Sequence, residues 1–226
     1  MPKELQITKL SFVVLARSHN PSLLNPDFLK NNGIVGNDWE VDSTLTTDQI
    51  SQTVFKNNFN IQMRADRVIF EQSTDENFDL DKFQLCEVAS RFLETLPHVN
   101  YTALGINPTG HVIFDTEDEL DIFISEKLLR SGDWKIFRGV KPEVAFSFSY
   151  PFNSKNIQLS INNVIVSNNK TNKKSLGILF SGNIHYDFAS TLVLSKKNDH
   201  LRERLLLWKD DLDDYYSLIN DCFLKS

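Results

Sequence analysis

Histidine and cysteine side chains are the groups in this 226-residue chain best suited to metal binding or nucleophilic chemistry. No histidine pair has the HxxxH or HExxH spacing that turns two imidazoles of one helix toward a single metal ion. The residues concerned are His19, His98, His111, His185, His200, Cys86 and Cys222. The GxxxxGKS/T and GxGxxG loops that hold phosphates and the GxSxG turn of serine hydrolases are also missing. We therefore predict no catalytic residue, no cofactor site and no metal site.

The run Asp210–Asp214, interrupted by Leu212, is the densest charged feature of the sequence. On a helix Asp210 shares a face with Asp214, as does Asp211, so the run could hold a divalent cation or meet a basic partner. It lacks the glycine-bearing loop of a calcium site of the EF-hand type. We interpret the run as a solvated helix face.

Lysines cluster in two places near the C-terminal end, at Lys170, Lys173, Lys174, Lys196 and Lys197. A nucleic-acid reader would add stacking aromatic side chains, and the asparagine-rich segment 167–175 around the first three lysines contains none. The net charge of −6 also opposes binding to phosphates. We predict a hairpin loop at 167–175 and no nucleic-acid partner. The segment Asn107–His111 combines a turn signature with an ionisable group and is predicted to be a simple turn.

A C-terminal helix, predicted over Asp199–Leu224, is the element around which we organise the rest of the chain. Its apolar residues recur every three or four positions and form one stripe, at Leu201, Leu205, Trp208, Leu212, Tyr215, Ile219 and Cys222. About 26 residues at 1.5 Å each make a rod of roughly 39 Å, which needs a broad surface to lie on. Cys222 and Cys86, the latter on a predicted helix Leu80–Leu96, are expected to be buried free thiols, which favours a reducing cytoplasm.

Most of the remaining chain has a β-type pattern. A strand over Ile7–Arg17 is apolar on both faces and is therefore predicted to be central. A second, over Tyr101–Phe114, is expected to be broken at Asn107–Gly110, and Ser43–Ile50 is expected to be a loop. Further strands are predicted at Trp39–Asp42, Thr53–Lys56, Phe59–Arg64, Val68–Gln72, Val144–Phe152, Ile157–Val166 and Leu176–Phe188.

Residues 1–98 and residues 99–226 each give the order strand, helix, three strands, helix, and Asn25 and Thr116 are predicted to cap the short helix of each half. The expected fold class is α+β: two α+β halves packed as one globular body, with helices on one face of an antiparallel sheet. The order predicts an internal duplication. It resembles the two-fold saddle of TATA-binding-protein-like folds. It also resembles the helix-grip fold, in which a curved antiparallel sheet wraps a long C-terminal helix.

Three functions fit these patterns. The first is a non-catalytic, cytoplasmic protein-interaction or assembly module whose partner is another protein or a second copy of the chain. The second is a binding protein of helix-grip type for a small hydrophobic ligand, held beneath the last helix. The third is an enzyme whose site is assembled from His111, His185 and the carboxylates of that helix. No apolar run approaches the ~18 residues of a membrane span, so no membrane partner is expected.

Overall fold

In the residues that the structure describes, nine strands form one sheet, and every pair of neighbouring strands in it is antiparallel. The computed structural model describes residues 3–74, 79–129, 132–168, 173–188 and 193–225. The strands are β1 (Gln6–Ala16), β2 (Val41–Thr46), β3 (Ile50–Phe55), β4 (Phe59–Arg64), β5 (Arg67–Ser73), β6 (Tyr101–Phe114), β7 (Ala145–Pro151), β8 (Asn156–Asn168) and β9 (Lys173–Asp187). Their order in the sheet is β2-β3-β4-β5-β1-β6-β9-β8-β7. The predicted α+β class with an antiparallel sheet is confirmed.

The α-helices in the described ranges are 6 to 13 residues long. They are α1 (Pro26–Asn31), α2 (Leu85–Thr95), α3 (Glu117–Ile122), α4 (Leu194–Leu206) and α5 (Trp208–Ser217), with 3₁₀ turns at Pro21–Leu23, Leu80–Lys82 and Asp133–Lys135 and π-helical turns at Phe123–Leu128 and Leu218–Leu224. Both predicted caps are present. The Asn25 side chain accepts a hydrogen bond from the Phe28 N–H at 2.8 Å, and the Thr116 hydroxyl accepts one from the Glu119 N–H at 3.2 Å.

Side-chain alternation distinguishes the two faces of the sheet. On β1, Leu10, Phe12 and Val14 are fully buried on the side where α2, α4 and α5 pack. The residues between them, such as Val13, point to the other side, which we call the open face. Because β1 lies between β5 and β6, its predicted central position is confirmed.

The strand β2 occupies much of the segment that the sequence predicts to be a loop. We expected a short strand at Trp39–Asp42 and a loop at Ser43–Ile50, but β2 continues to Thr46 and pairs with β3. The residues of β2 are mostly exposed because it forms one edge of the sheet. The polar, threonine-rich composition that suggested a loop is therefore that of a solvated edge strand.

The strand β6 runs without a break through Asn107–Gly110, where the sequence predicts a turn. Pro108 stands between Leu10 of β1 and the β9 position of Gly182, and its ring fits there because Gly182 has no side chain. Gly110 allows a close approach of β1, since a Cβ at this position would lie 2.7 Å from the Gln6 carbonyl oxygen. The proline and glycine thus serve packing inside a strand rather than a turn.

The predicted helix Asp199–Leu224 is in fact two helices followed by a π-helical turn. It begins earlier, at Leu194, and is interrupted at the exposed Leu207. Six of the seven stripe residues are buried as predicted, and the exception is Cys222. The predicted helix Leu80–Leu96 is likewise a 3₁₀ turn followed by α2.

Candidate functional site

The acidic run of α5 contains one buried carboxylate. Asp211 is only 2% exposed, and its Oδ1 accepts hydrogen bonds from Lys155 Nζ at 2.7 Å and from the Tyr186 hydroxyl at 2.5 Å. Lys155 Nζ also lies 2.5 Å from Asp214 Oδ2. The β7–β8 turn supplies the lysine and β9 supplies the tyrosine. We call these four residues the buried ion cluster.

Opposite charge dominates the electrostatics of the buried ion cluster. Burial disfavours the ammonium of Lys155, but its bonds to Asp211 and Asp214 outweigh that effect and raise its pKa. Burial and the hydrogen bond to the Asp211 carboxylate both raise the pKa of Tyr186. The guanidinium of Arg204 lies over the Tyr186 ring, 5.2 Å from its centroid. At neutral pH the cluster therefore holds a charged lysine between two carboxylates, beside a neutral phenol.

The cation that Asp211 meets is a side chain of the same protein. The predicted solvated face is therefore wrong for Asp211, although Asp210 and Asp213 are exposed. Tyr186 and Asp211 are both buried, and the Asp214 side chain, which is 58% exposed, is the part of the cluster that faces solvent. The cluster fastens the β7–β8 turn to α5, which is a structural task.

His111 and His185 lie on the open face of the sheet, at positions of β6 and β9 that are far apart in the register. Asp211 lies on the helix side. His185 Nε2 is 3.0 Å from Asp187 Oδ1, and burial lowers the pKa of His111. The structure thus does not bring together the dispersed groups named in the enzyme hypothesis. In the part of the chain that the structure describes, no three histidine, cysteine or acidic side chains come close enough to hold a metal ion.

The remaining histidine and cysteine positions are structural or solvated. His19 is buried between the rings of Phe92 and Tyr101, and burial lowers its pKa. Burial raises the pKa of the half-buried Cys86 thiol. Cys222 is exposed, so the prediction of two buried thiols is wrong for this residue. The π-helical turn at the C-terminal end changes the residue spacing that would have placed it on the buried stripe.

Side chains fill the contact between α5 and the sheet where the hydrophobic-ligand hypothesis would need a cavity. The Tyr215 ring lies against β9 at Gly182, where a Cβ would be only 2.9 Å from the ring. The Tyr215 hydroxyl donates a hydrogen bond to the Phe180 carbonyl at 2.9 Å. At the edge strand, Phe148 of β7 packs edge-on against Phe223 of the C-terminal π-helical turn, with centroids 5.3 Å apart. This contact is packed core.

Neutral polar side chains cover the open face across β6, β9, β8 and β7. Hydroxyl and amide groups face one another in register there, as Ser160 does with Ser147 on one side and Ser181 on the other. This neutral patch consists of Asn107, Thr109, Ser147, Ser149, Asn156, Gln158, Ser160, Asn162, Ser181 and Asn183. Each of these side chains offers both a hydrogen-bond donor and an acceptor. The Oδ1 of Asn107 is buried and has no hydrogen-bond partner within the described structure.

Charged groups on the open face lie mainly on β1, β4 and β5, outside the neutral patch. Lys9 Nζ is 3.3 Å from Glu71 Oε2, and the Arg67 guanidinium is 2.5 Å from the carboxylate of Asp66. That contact lowers the pKa of Asp66. Across the described strands, the open face has no continuous basic strip of the kind that follows a phosphate backbone.

A second surface is an exposed apolar hairpin tip, formed by Ile136, Phe137 and Val140. These side chains are 59%, 73% and 67% exposed. The backbones of Phe137 and Val140 bond to each other at 2.9 and 3.0 Å across a tight turn, in which Arg138 and Gly139 have positive φ angles of 51° and 83°. Three large apolar side chains held outward on one turn are typical of a surface that meets another molecule.

No protein-family model matches this chain, and no curated protein matches it in sequence. Among the helices of the described residues, none has the length and apolar character needed to cross a membrane.

The sequence contained a signal for the neutral patch and for the acidic run, but none for the contact of Lys155 with Asp211. Ser147 and Ser149 alternate with aromatic residues, and that alternation identified β7. The prediction did not consider what the serines on its other face could bind. Lys155 and Asp211 are 56 positions apart, so only the fold shows that they meet.

Proposed function

We propose that this protein is a non-catalytic protein-interaction or assembly module whose partner is another protein or a second copy of the chain. The observation that carries the proposal is the neutral patch on the open face. Protein interfaces are depleted of charged residues in their cores and are joined by direct hydrogen bonds and bridging water. A broad sheet face with paired hydroxyls and amides meets that description, because it binds without requiring a particular charge on its partner.

Two further features support the proposal. The apolar hairpin tip adds a hydrophobic anchor outside the neutral patch, and aromatic side chains are enriched at interface cores. The free thiols of Cys86 and Cys222 favour a reducing compartment, so we propose the cytoplasm as the site of action. We propose no nucleic-acid partner, since the described charges of the open face form no basic strip.

We also propose that residues 1–98 and 99–226 are related by duplication within a saddle-like sheet. The strand order supports this idea. β1 and β6 are neighbours at the centre, β5 lies beside β1 as β9 lies beside β6, and a short helix follows the first strand of each half. The first half has one strand more than the second. The strand order does not single out the helix-grip alternative.

Native mass spectrometry of protein purified gently from its own host tests the interaction module. We expect the wild-type chain to carry an additional protein subunit. The variant Ser160→Glu/Ser181→Glu places two like charges opposite each other in the neutral patch, and we expect it to lose that subunit. The control Leu206→Glu/Leu207→Glu adds the same charge to exposed leucines on the helix side and should retain it. A monomer with a discrete small-molecule mass would overturn the proposal and support a ligand-binding protein.

A further inference from the structure

The two edges of the sheet differ in how they are protected from pairing with another chain. At one edge, β2 contains Asp42 and a register shift between Val41 and Ser43, both of which discourage further pairing. At the other edge, β7 has the sequence AFSFSYP, with no charged residue. Its register with β8 is continuous from Ala145 to Pro151. Apart from Pro151 at its end, the β7 edge therefore lacks the usual protection.

The turn after β7 determines which of its backbone groups point outward. The Phe152 N–H donates to the Lys155 carbonyl at 2.9 Å, and bonded and non-bonded positions alternate in an antiparallel pair. Phe148 consequently bonds to β8, whereas Ser147 and Ser149 direct their N–H and C=O groups away from the sheet. Pro151, which has no N–H, also falls at an outward position, so β8 loses no hydrogen bond to it.

We infer that two copies of the chain pair through this edge, with their β7 strands antiparallel about a two-fold axis at Phe148. This inference goes beyond the proposed function, because it adds a second copy at the β7 edge, apart from the partner that the face of the neutral patch binds. In that register Ser147 of each copy faces Ser149 of the other, and each such pair exchanges both backbone hydrogen bonds. The arrangement is isologous, since the same surface serves both copies.

The side chains of β7 favour this register over a slipped one. Phe148 faces its own counterpart at a non-bonded position, where side chains are closest, and Phe146 faces Tyr150 of the second copy. The rings of Phe146, Phe148 and Tyr150 already form a row on the helix side, with successive centroids 6.4 and 6.5 Å apart. Pairing extends that row across the axis. Because β7 is uncharged, two copies meet there without local repulsion despite a net charge of −6 each.

Charge placed at the paired serines tests both the edge and the register. Ser147→Lys/Ser149→Lys puts lysine opposite lysine in both pairs, and we expect the dimer dissociation constant to rise about tenfold or more. Ser147→Lys/Ser149→Glu puts lysine opposite glutamate in both pairs, and we expect it to dimerise at least as tightly as wild type. Both side chains are exposed on the open face, so the two variants should fold equally well. Sedimentation equilibrium over a concentration series measures the constants.

The control Ser43→Lys/Leu45→Lys adds the same charges at the same spacing to the β2 edge and should leave the dimer unchanged. A wild-type chain that stays monomeric at high concentration would refute self-pairing. It would leave the interaction module to be judged by its own host-purification test. A dimer that survives Ser147→Lys/Ser149→Lys would show that copies associate through another surface. An equal rise of the dimer dissociation constant in both serine variants would refute the proposed register.

Discussion

Lys155 is the residue on which the buried ion cluster depends, because it is the cation that faces Asp211 and Asp214. Its side chain is 15% exposed and that of Asp211 is 3% exposed, so water compensates little for a lost contact. The sequence correctly indicated a dense acidic run but assigned all of it to solvent. Helical spacing shows which aspartates share a face, but it does not show which of them a distant turn covers.

Lys155→Ala should destabilise the protein by about 3 kcal/mol, because it leaves the Asp211 carboxylate buried without a cation. Urea unfolding measures the change in the free energy of unfolding. Lys141 is the matched control: it also contacts two carboxylates, those of Asp121 and Glu117, but on the surface. Lys141→Ala should therefore have little effect. Equal losses in the two variants would contradict a special role for the cluster.

His19 should make stability depend on pH. Burial lowers its pKa below the ordinary value of 6.5, against a smaller opposing attraction from Asp66. As pH falls below about 6.5, the unfolded chain binds a proton that the folded chain does not, so the free energy of unfolding decreases down to the folded-state pKa. His19→Leu should remove part of this decrease in the free energy of unfolding. The rest should remain, because burial lowers the pKa of His111 too. Urea unfolding midpoints measured at several pH values below 6.5 test this expectation. The variant His200→Leu, at an exposed histidine, is the control.

At the scale of elements, local pattern predicted most strands well. β4 coincides with the predicted Phe59–Arg64, and β5 and β7 lie close to their predicted spans, because their alternation is visible without knowing their neighbours. β6 was mispredicted at Asn107–Gly110 because the reason for its proline lies on another strand. Only the pairing of β6 with β9 shows that Pro108 and Gly182 fit together. Most of the polar strand β2 was missed for a related reason: a strand at the edge of a sheet, unlike a buried strand, shows little hydrophobic pattern.

Gly182→Ala should destabilise the contact between β9 and α5 by about 1–3 kcal/mol, since its Cβ would lie 2.9 Å from the Tyr215 ring. Thermal unfolding followed by circular dichroism measures the effect. Gly105→Ala is the matched control on β6, where the nearest atom to a new Cβ is the Asn107 side chain at 3.4 Å. An unchanged stability for Gly182→Ala would mean that α5 shifts without cost.

At the scale of the whole molecule, residues 1–98 and 99–226 meet in the sheet where two adjacent central strands pair. β1 pairs with β6 along nearly its whole length, from Gln6 to Ala16. A hydrogen bond on the helix side also joins the two halves: the Asn198 amide donates to the Pro97 carbonyl at 2.8 Å. The element order of each half was visible in the sequence. The pairing of β1 with β6 was not visible, because these two strands are distant in the chain.

Expressed separately, fragments 1–98 and 99–226 should aggregate or stay unfolded, because each would expose the edge of a central, apolar strand. Co-expressed, they should assemble into a soluble complex whose circular dichroism spectrum matches that of the intact chain. Size-exclusion chromatography and circular dichroism test both expectations. A fragment that is soluble and unfolds cooperatively alone would instead show that the halves are independent domains.

The central place of β1 has a consequence for how the chain is made. Among the described strands β1 is synthesised before the others, and its neighbours β5 and β6 follow much later. Contacts between distant parts of a chain form slowly, and a nascent apolar strand without neighbours is prone to aggregate. During translation β1 therefore has neither of its neighbouring strands until β5 emerges. A nascent chain that stops before β5 would leave β1 as an exposed apolar strand, so this is the stage of synthesis at which aggregation is most favoured.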